Sequence, residues 1–251
     1  MKLANLKTQE LEKHKDKWLI IPFGSIEQHG QRLPLSVDVD IAKSISLEIA
    51  ERCNHLVAPP VIYSTRSLPN SGGGDSFMGN IHLSVNTFMV LTKELIQSYK
   101  KNGFSKILIL NGHYENLAFI FEAIEQLKED RQLNGIKIMA LNWWDVLPDS
   151  FISIVTNGKF VNWSLEHAGM VETSIQMVIN PDTVDVEESV ENKGIENSFY
   201  SYPIMQKNVS KTGSLSSSSG ATKEMGKEII DFVCNQIMNL IDDMEGNNEF
   251  G

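Results

Sequence analysis

A carboxylate and an imidazole separated by one residue occur twice in this sequence, as Glu27 with His29 in GSIEQHG (24–30) and as His113 with Glu115 in NGHYEN (111–116). In an extended segment residues i and i+2 project to the same side, so each pair can present one oxygen and one nitrogen toward a common centre. Two such forks facing each other make a metal site. Asp38, eleven residues after Glu27, opens the first expected helix, where its carboxylate can swing back and bridge two ions. Three carboxylates around an empty dry pocket would repel one another, whereas two divalent cations turn their −3 into about +1. Oxygen and nitrogen donors without a thiolate make Zn²⁺ and Mn²⁺ the leading ions. Glu27, His29, Asp38, His113 and Glu115 are therefore the expected metal ligands.

A third cluster, NWSLEHAG (162–169), places Glu166 and His167 at the start of an expected helix. His167 suits proton transfer to a leaving nitrogen, because imidazole titrates near neutrality. Glu166 either joins His167 and Glu115 in catalysis or serves as a carboxylate facing the helix dipole. SGGGDSF (71–77) lacks the Lys-Ser/Thr ending of a phosphate-binding loop; its glycines let backbone approach a compact ligand, with Ser71 at the rim. Trp144 and Trp163 flank the expected site as core residues or as walls for a planar substrate. His14, His55 and His82 have no comparable setting and read as structural or surface residues.

Positioning these groups requires a scaffold. Apolar runs at 18–23, 56–61, 106–110 and 136–141 read as buried strands, and helical periodicity marks 39–53, 84–101, 115–128, 165–179 and 221–244. Strand followed by helix, repeated, predicts an α/β fold of three layers, α/β/α, with a mostly parallel central sheet. Both Glu/His clusters then sit at carboxyl ends of strands, the edge where open α/β sheets bind ligands. Residues 184–220, with SLSSSSG at 214–220, read as a long surface loop contributing to a subunit contact. A chain of 251 residues can bury one large core, so one domain over 1–251 is expected.

The balance of 22 basic against 32 acidic residues, a net charge of −10, argues against a nucleic-acid partner. The two cysteines, Cys53 and Cys234, lie in apolar helical patterns without a CxxC companion and read as buried free thiols. No apolar run fits a signal peptide or membrane span, so a cytoplasmic protein is expected.

Together these motifs resemble the creatininase (creatinine amidohydrolase) family across nearly the whole chain. The family's Glu-x-His with an Asp eleven residues after the Glu corresponds to Glu27, His29 and Asp38. Its second motif, Asn-Gly-His, continues here as Tyr114, Glu115 and Asn116, the form that resembles true creatininases, whereas much of the family continues with Gly-Gly-Asn. SGGG (71–74), Trp144 with Asp145, EHAGMVETS (166–174) and GSLSS (213–217) agree as well. The resemblance implies that Glu27, Asp38 and His113 hold one metal and His29, Asp38 and Glu115 the other. It further implies that Ser71, Tyr114, Trp144, Trp163 and His167 line the substrate pocket, and that the protein is a homohexamer. The implied reaction is opening of a small cyclic amide, creatinine to creatine, by a water activated at two metals, with His167 protonating the departing nitrogen. One departure stands out: creatininases tend to have Asp after the tryptophan corresponding to Trp163, and this chain has Ser164, with no carboxylate there to pair with a guanidinium-like group.

Overall fold

The computed structural model describes residues 1–185 and 200–246. In chain order the elements are α1 (Thr8–Leu11), β1 (Leu19–Phe23), α2 (Val37–Arg52), β2 (Leu56–Val57), α3 (Val85–Lys101), β3 (Lys106–Asn111), α4 (Leu117–Glu129), β4 (Lys137–Asn142), α5 (Asp149–Val155), α6 (Met170–Ile179) and α7 (Lys223–Gly246). The four strands form one parallel sheet in the order β2-β1-β3-β4.

Strand alternation divides the core between two faces. Leu19, Ile21 and Phe23 of β1 and Ile107 and Ile109 of β3 point toward Phe88 and Ile96 of α3 and Ile120, Ala123 and Leu127 of α4. Ile20, Leu108 and Leu110 point the other way, into α2, α6 and α7 through Ile41, Ile45, Val171, Ile175, Ile229 and Val233. The α/β/α layering with a parallel sheet therefore stands as expected. Strand order also explains which helix covers which face. The chain moves outward from β1 to β2, then crosses back over β1 to β3 and on to β4. Right-handed crossovers in opposite directions place α2 on one face and α3 and α4 on the other. Direction reverses between β1 and β3, and there the loops leaving the strands splay apart and open a crevice.

Four local readings needed correction. The strand expected over 56–61 is Leu56–Val57 alone, because Pro59 and Pro60 have no N–H to continue a ladder; pairing resumes as a single bridge between Phe23 and Val61. Residues 114–116 form a 3₁₀ turn before α4 begins at Leu117. The helix expected from 165 starts at Met170, since Ala168 adopts a left-handed φ of 54° that no helix interior accommodates. Finally, α5 lies between the runs at 136–141 and 165–179, where no helix is expected, and its Phe151 stacks on Phe232 of α7 with ring centroids 4.0 Å apart. The expected 184–220 loop falls partly outside the described residues. Among the described residues, no helix is long and apolar enough to cross a membrane.

Candidate active site

Both Glu/His forks leave the sheet at the crevice between β1 and β3. Two glycines let them converge beneath the first turn of α2. A Cβ on Gly24 would lie 2.4 Å from the Val39 nitrogen, and one on Gly112 would lie 2.3 Å from the Asp38 carbonyl oxygen, so only glycine lets the strand ends pass this close. Asparagines lock the second fork: the Asn111 amide donates to the His113 carbonyl (2.5 Å) and to Asn142 Oδ1 (2.7 Å). The Asn116 amide donates to Asn111 Oδ1 (3.0 Å), and its oxygen accepts from the Thr65 hydroxyl (2.8 Å).

Asp38 occupies the centre. Its Oδ1 lies 3.0 Å from His29 Nε2 and its Oδ2 lies 3.0 Å from His113 Nδ1. Glu27 Oε1 approaches the same His113 nitrogen at 3.2 Å, and Glu172 Oε2 approaches His29 Nε2 at 3.9 Å. All five side chains are buried. His29 Nδ1 donates to the Glu27 carbonyl (3.1 Å), which leaves Nε2 as the nitrogen that faces Asp38 and Glu172.

Charge accounts for how these groups hold protons. Burial pulls the His29 imidazole down, but Asp38, Glu172 and Glu27 outweigh it and push its pKa up to about 10. Burial likewise opposes protonation of His113, yet Glu27 and Asp38 raise it well above the ordinary histidine value. Burial works against the Asp38 carboxylate, and the two imidazoles hold it far below the usual range. Glu172, desolvated beside other carboxylates, is pushed up to about 8. The cluster thus draws positive charge inward, and the chemistry of its donors shows which charge fits. Glu27 Oε2, His29 Nε2 and His113 Nε2 are buried without a hydrogen-bond partner, an expense that coordination would remove. Among the described residues, three sets of ligand atoms gather closely enough to hold a cation: Glu27, Asp38 and His113; His29, Asp38 and Glu172; and Glu27, His29 and His167.

Glu172 was not singled out from sequence, although it lies inside the EHAGMVETS motif. Glu115 falls outside all three sets. Its Oε2 lies 3.4 Å from His113 Nε2 and its Oε1 accepts from the Leu68 amide (3.2 Å), a placement that orients the His113 ring. Burial raises the Glu115 pKa. Glu166 accepts from the amides of Val171 (2.8 Å) and Glu172 (3.2 Å), capping α6, and burial pushes it up to about 7. His167 packs against His29 with ring centroids 4.3 Å apart and the planes tilted by 38°, its Nδ1 3.8 Å from Glu27 Oε1; burial and the neighbouring His29 lower it to about 4.

Above the cluster opens a narrow cleft lined by Ser71, Tyr114, Glu115, Trp143, Trp144, Trp163, Ser164 and His167 among others. Trp144 and Trp163 lie nearly parallel with centroids 6.0 Å apart, as do Tyr114 and Trp144 at 6.4 Å. Trp143, unassigned from sequence, is buried edge-on to both tryptophans and holds them in place. Its sequence signal was adjacency to Trp144 just past a strand end. The Ser164 hydroxyl donates to Asn162 Oδ1 (2.7 Å).

Comparison with known proteins finds relatives along nearly the whole chain. The family described as Creatininase: Creatinine amidohydrolase matches residues 4–241. Creatinine amidohydrolase of Pseudomonas putida is 32% identical over 223 residues, 87% of this chain and 85% of that protein. The mycofactocin precursor peptide peptidase of Mycolicibacterium smegmatis is 29% identical over 179 residues, 68% of this chain and 62% of that one. A crystal structure of creatinine amidohydrolase (creatininase) superimposes with a TM-score of 0.92 at 30% identity, covering 97% of each chain.

Proposed function

The chain belongs to the creatininase family of metal-dependent amidohydrolases, and we propose that it hydrolyses a small cyclic amide, creatinine first, at a centre of two divalent cations. The observation that carries this reading is Asp38, whose two oxygens each face a different imidazole at 3.0 Å, the placement of a shared ligand between two cation sites. Glu27 and His113 would complete one site, and His29 and Glu172 the other. Three carboxylates and two neutral imidazoles leave two divalent cations with about one positive charge to spare, and the oxygen and nitrogen donors suit Zn²⁺ or Mn²⁺. Bound there, the cations would supply Lewis acidity toward the amide carbonyl and bring water toward ionisation near neutral pH.

The chain's own residues do the rest. Tyr114, Trp144 and Trp163 present flat apolar faces that would hold a planar ring and exclude bulk water, with Ser71 at the rim. His167 Nδ1, near Glu27 and open to the cleft, is placed to take a proton from the attacking water and return it to the departing nitrogen. Glu115 holds His113 in orientation, and Glu166 supports the turn that carries His167.

Ser164 favours a second reading, a related amide in place of creatinine, because its hydroxyl brings a neutral group to the cleft. The peptidase relative shows that the family's chemistry extends to other amides. A hydrolysis screen of the metal-loaded protein against creatinine, other cyclic ureas and amides, and formamides decides between them. Creatinine inert with another amide cleaved keeps the site and changes the substrate; no amide cleaved, with no bound metal, refutes both. Metal analysis of Glu172→Gln and Glu115→Gln tests the ligand assignment: the first should fall from two cations per chain to about one, and the second should keep both with weakened affinity of about 10- to 100-fold. We also place the protein in the cytoplasm as a homohexamer, a reading supported by the family resemblance and by the exposed apolar side chains of Tyr63, Met78 and Ile81; light scattering tests it.

A further inference from the structure

We propose that Gln28 is the positioning residue of this site, tying three loops together through its side-chain amide and fixing the ring tautomer of His167 through its main-chain carbonyl. The inference rests on the reading of His167 as proton carrier. Gln28 lies between two candidate ligands, is buried, and uses its side-chain nitrogen to bond two other loops. Its Oε1 accepts from the Gly30 amide (2.8 Å), while its Nε2 donates to the carbonyls of Gly72 (2.5 Å) and Gly213 (3.0 Å). The opposite amide orientation would set N–H against N–H and oxygen against two carbonyls, so the orientation is determined. The loop after β1, the glycine loop at 71–74 and the loop at 210–215 are thereby joined at one side chain.

Both Nε2 hydrogens of Gln28 are used by the two carbonyls. His167 Nε2, 3.0 Å away, receives none of them and must instead donate to the Gln28 carbonyl at 2.9 Å. That leaves Nδ1 as the unprotonated nitrogen, on the side of Glu27 and the cleft. The fit leaves no slack around either group. A Cβ on Gly72 would sit 3.2 Å from the His167 ring, and one on Gly213, whose φ is 87°, would overlap Gln28 Oε1.

Three variants test the assignment. Gln28→Met keeps the length and removes donors and acceptor; Gln28→Glu keeps the acceptor alone; Gly213→Ala displaces the amide from outside. Each should retain its metal while kcat on the amide that wild type cleaves falls about 100-fold, as for a misplacement of about 1 Å, with KM within about threefold. Hydrogen exchange at 72–74 and 213–215 should accelerate in all three, and Gln28→Glu should rescue neither readout. Nitrogen NMR of histidine-labelled, zinc-loaded wild type should show His167 as the Nε2–H tautomer. Wild-type kcat with unchanged exchange in Gln28→Met, activity loss that only tracks metal loss, a change in KM alone, or an Nδ1–H tautomer would overturn the proposal. Exchange and tautomer are read without substrate, so wild type inert toward every amide would defeat the functional reading and still leave the tie at Gln28 decided.

Discussion

Replacing Gly112 with alanine should uncouple the site from the fold. The new Cβ would begin 2.3 Å from the Asp38 carbonyl oxygen and 3.1 Å from its carbon, with the Ala42 side chain 3.4 Å away on the same side. A carbon and an oxygen settle at roughly 3.3 Å, so relief requires about 1 Å of movement between β3 and the first turn of α2. Neither partner is a flexible side chain. Gly112 is also held from below, its amide donating to the Phe23 carbonyl at 2.9 Å, so the displacement falls mainly on Asp38. Overpacking of this kind costs about 1–3 kcal/mol, below the roughly 5–15 kcal/mol of a typical domain, and Gly112→Ala should fold with a melting temperature lowered by about 3–10 °C. Function should suffer more, because Asp38 faces both imidazoles at 3.0 Å and a shift of about 1 Å can cost two orders of magnitude in rate. Metal content by mass spectrometry, thermal unfolding and amide hydrolysis read the three effects separately. Gly246→Ala, where nothing lies within 4 Å, is the control and should be silent in all three. Two cations per chain together with a wild-type rate in Gly112→Ala would refute the close approach as the device that positions Asp38.

Metal uptake should release protons, because His29 keeps its proton up to about 10 and Glu172 up to about 8 in the cation-free cluster. Affinity should therefore climb with pH through neutrality, and calorimetry in buffers of different ionisation enthalpy reads the protons; pH-independent binding would contradict the cluster's charge state. Both pKa values lie above their unfolded values, so the metal-free protein should lose stability as pH rises, through about 8 for Glu172 and about 10 for His29, a loss that denaturant titrations across that window would show. Asn116→Ala strands the Thr65 hydroxyl, leaves Asn111 Oδ1 with the His113 amide alone and takes a donor from the Gly24 carbonyl, and should cost about 3 kcal/mol in denaturant unfolding; a change under about 1 kcal/mol would show that the clamp is dispensable. Cys234, whose thiol burial pushes up to about 12, should resist aromatic disulfide reagents in the folded protein at mildly alkaline pH, and rapid modification there would place it at the surface.

Much of this protein was legible in its residues because the relevant physics is local. Apolar runs of strand length alternating with helical periodicity imply a parallel sheet covered on both faces, and a polar cluster at the end of such a run lies at the sheet's binding edge wherever the strand pairs. The forks of Glu27 with His29 and His113 with Glu115 were visible for that reason, and Asp38 by its spacing. Boundaries failed where one residue overrules a pattern: Pro59 and Pro60 end β2, and Ala168 in the left-handed region delays α6 by several residues, turning Glu166 into a cap. Tertiary structure alone decided which carboxylate faces which imidazole. Glu115 is two residues from His113 in sequence and stays beside it in space, on the ring's outer nitrogen, while Glu172, over 140 residues from His29, approaches it because α6 packs beside α2 under the same face of the sheet. Chain spacing fixes what a residue can reach within its own loop; contacts between loops depend on how helices pack across the sheet, and no local pattern encodes that distance.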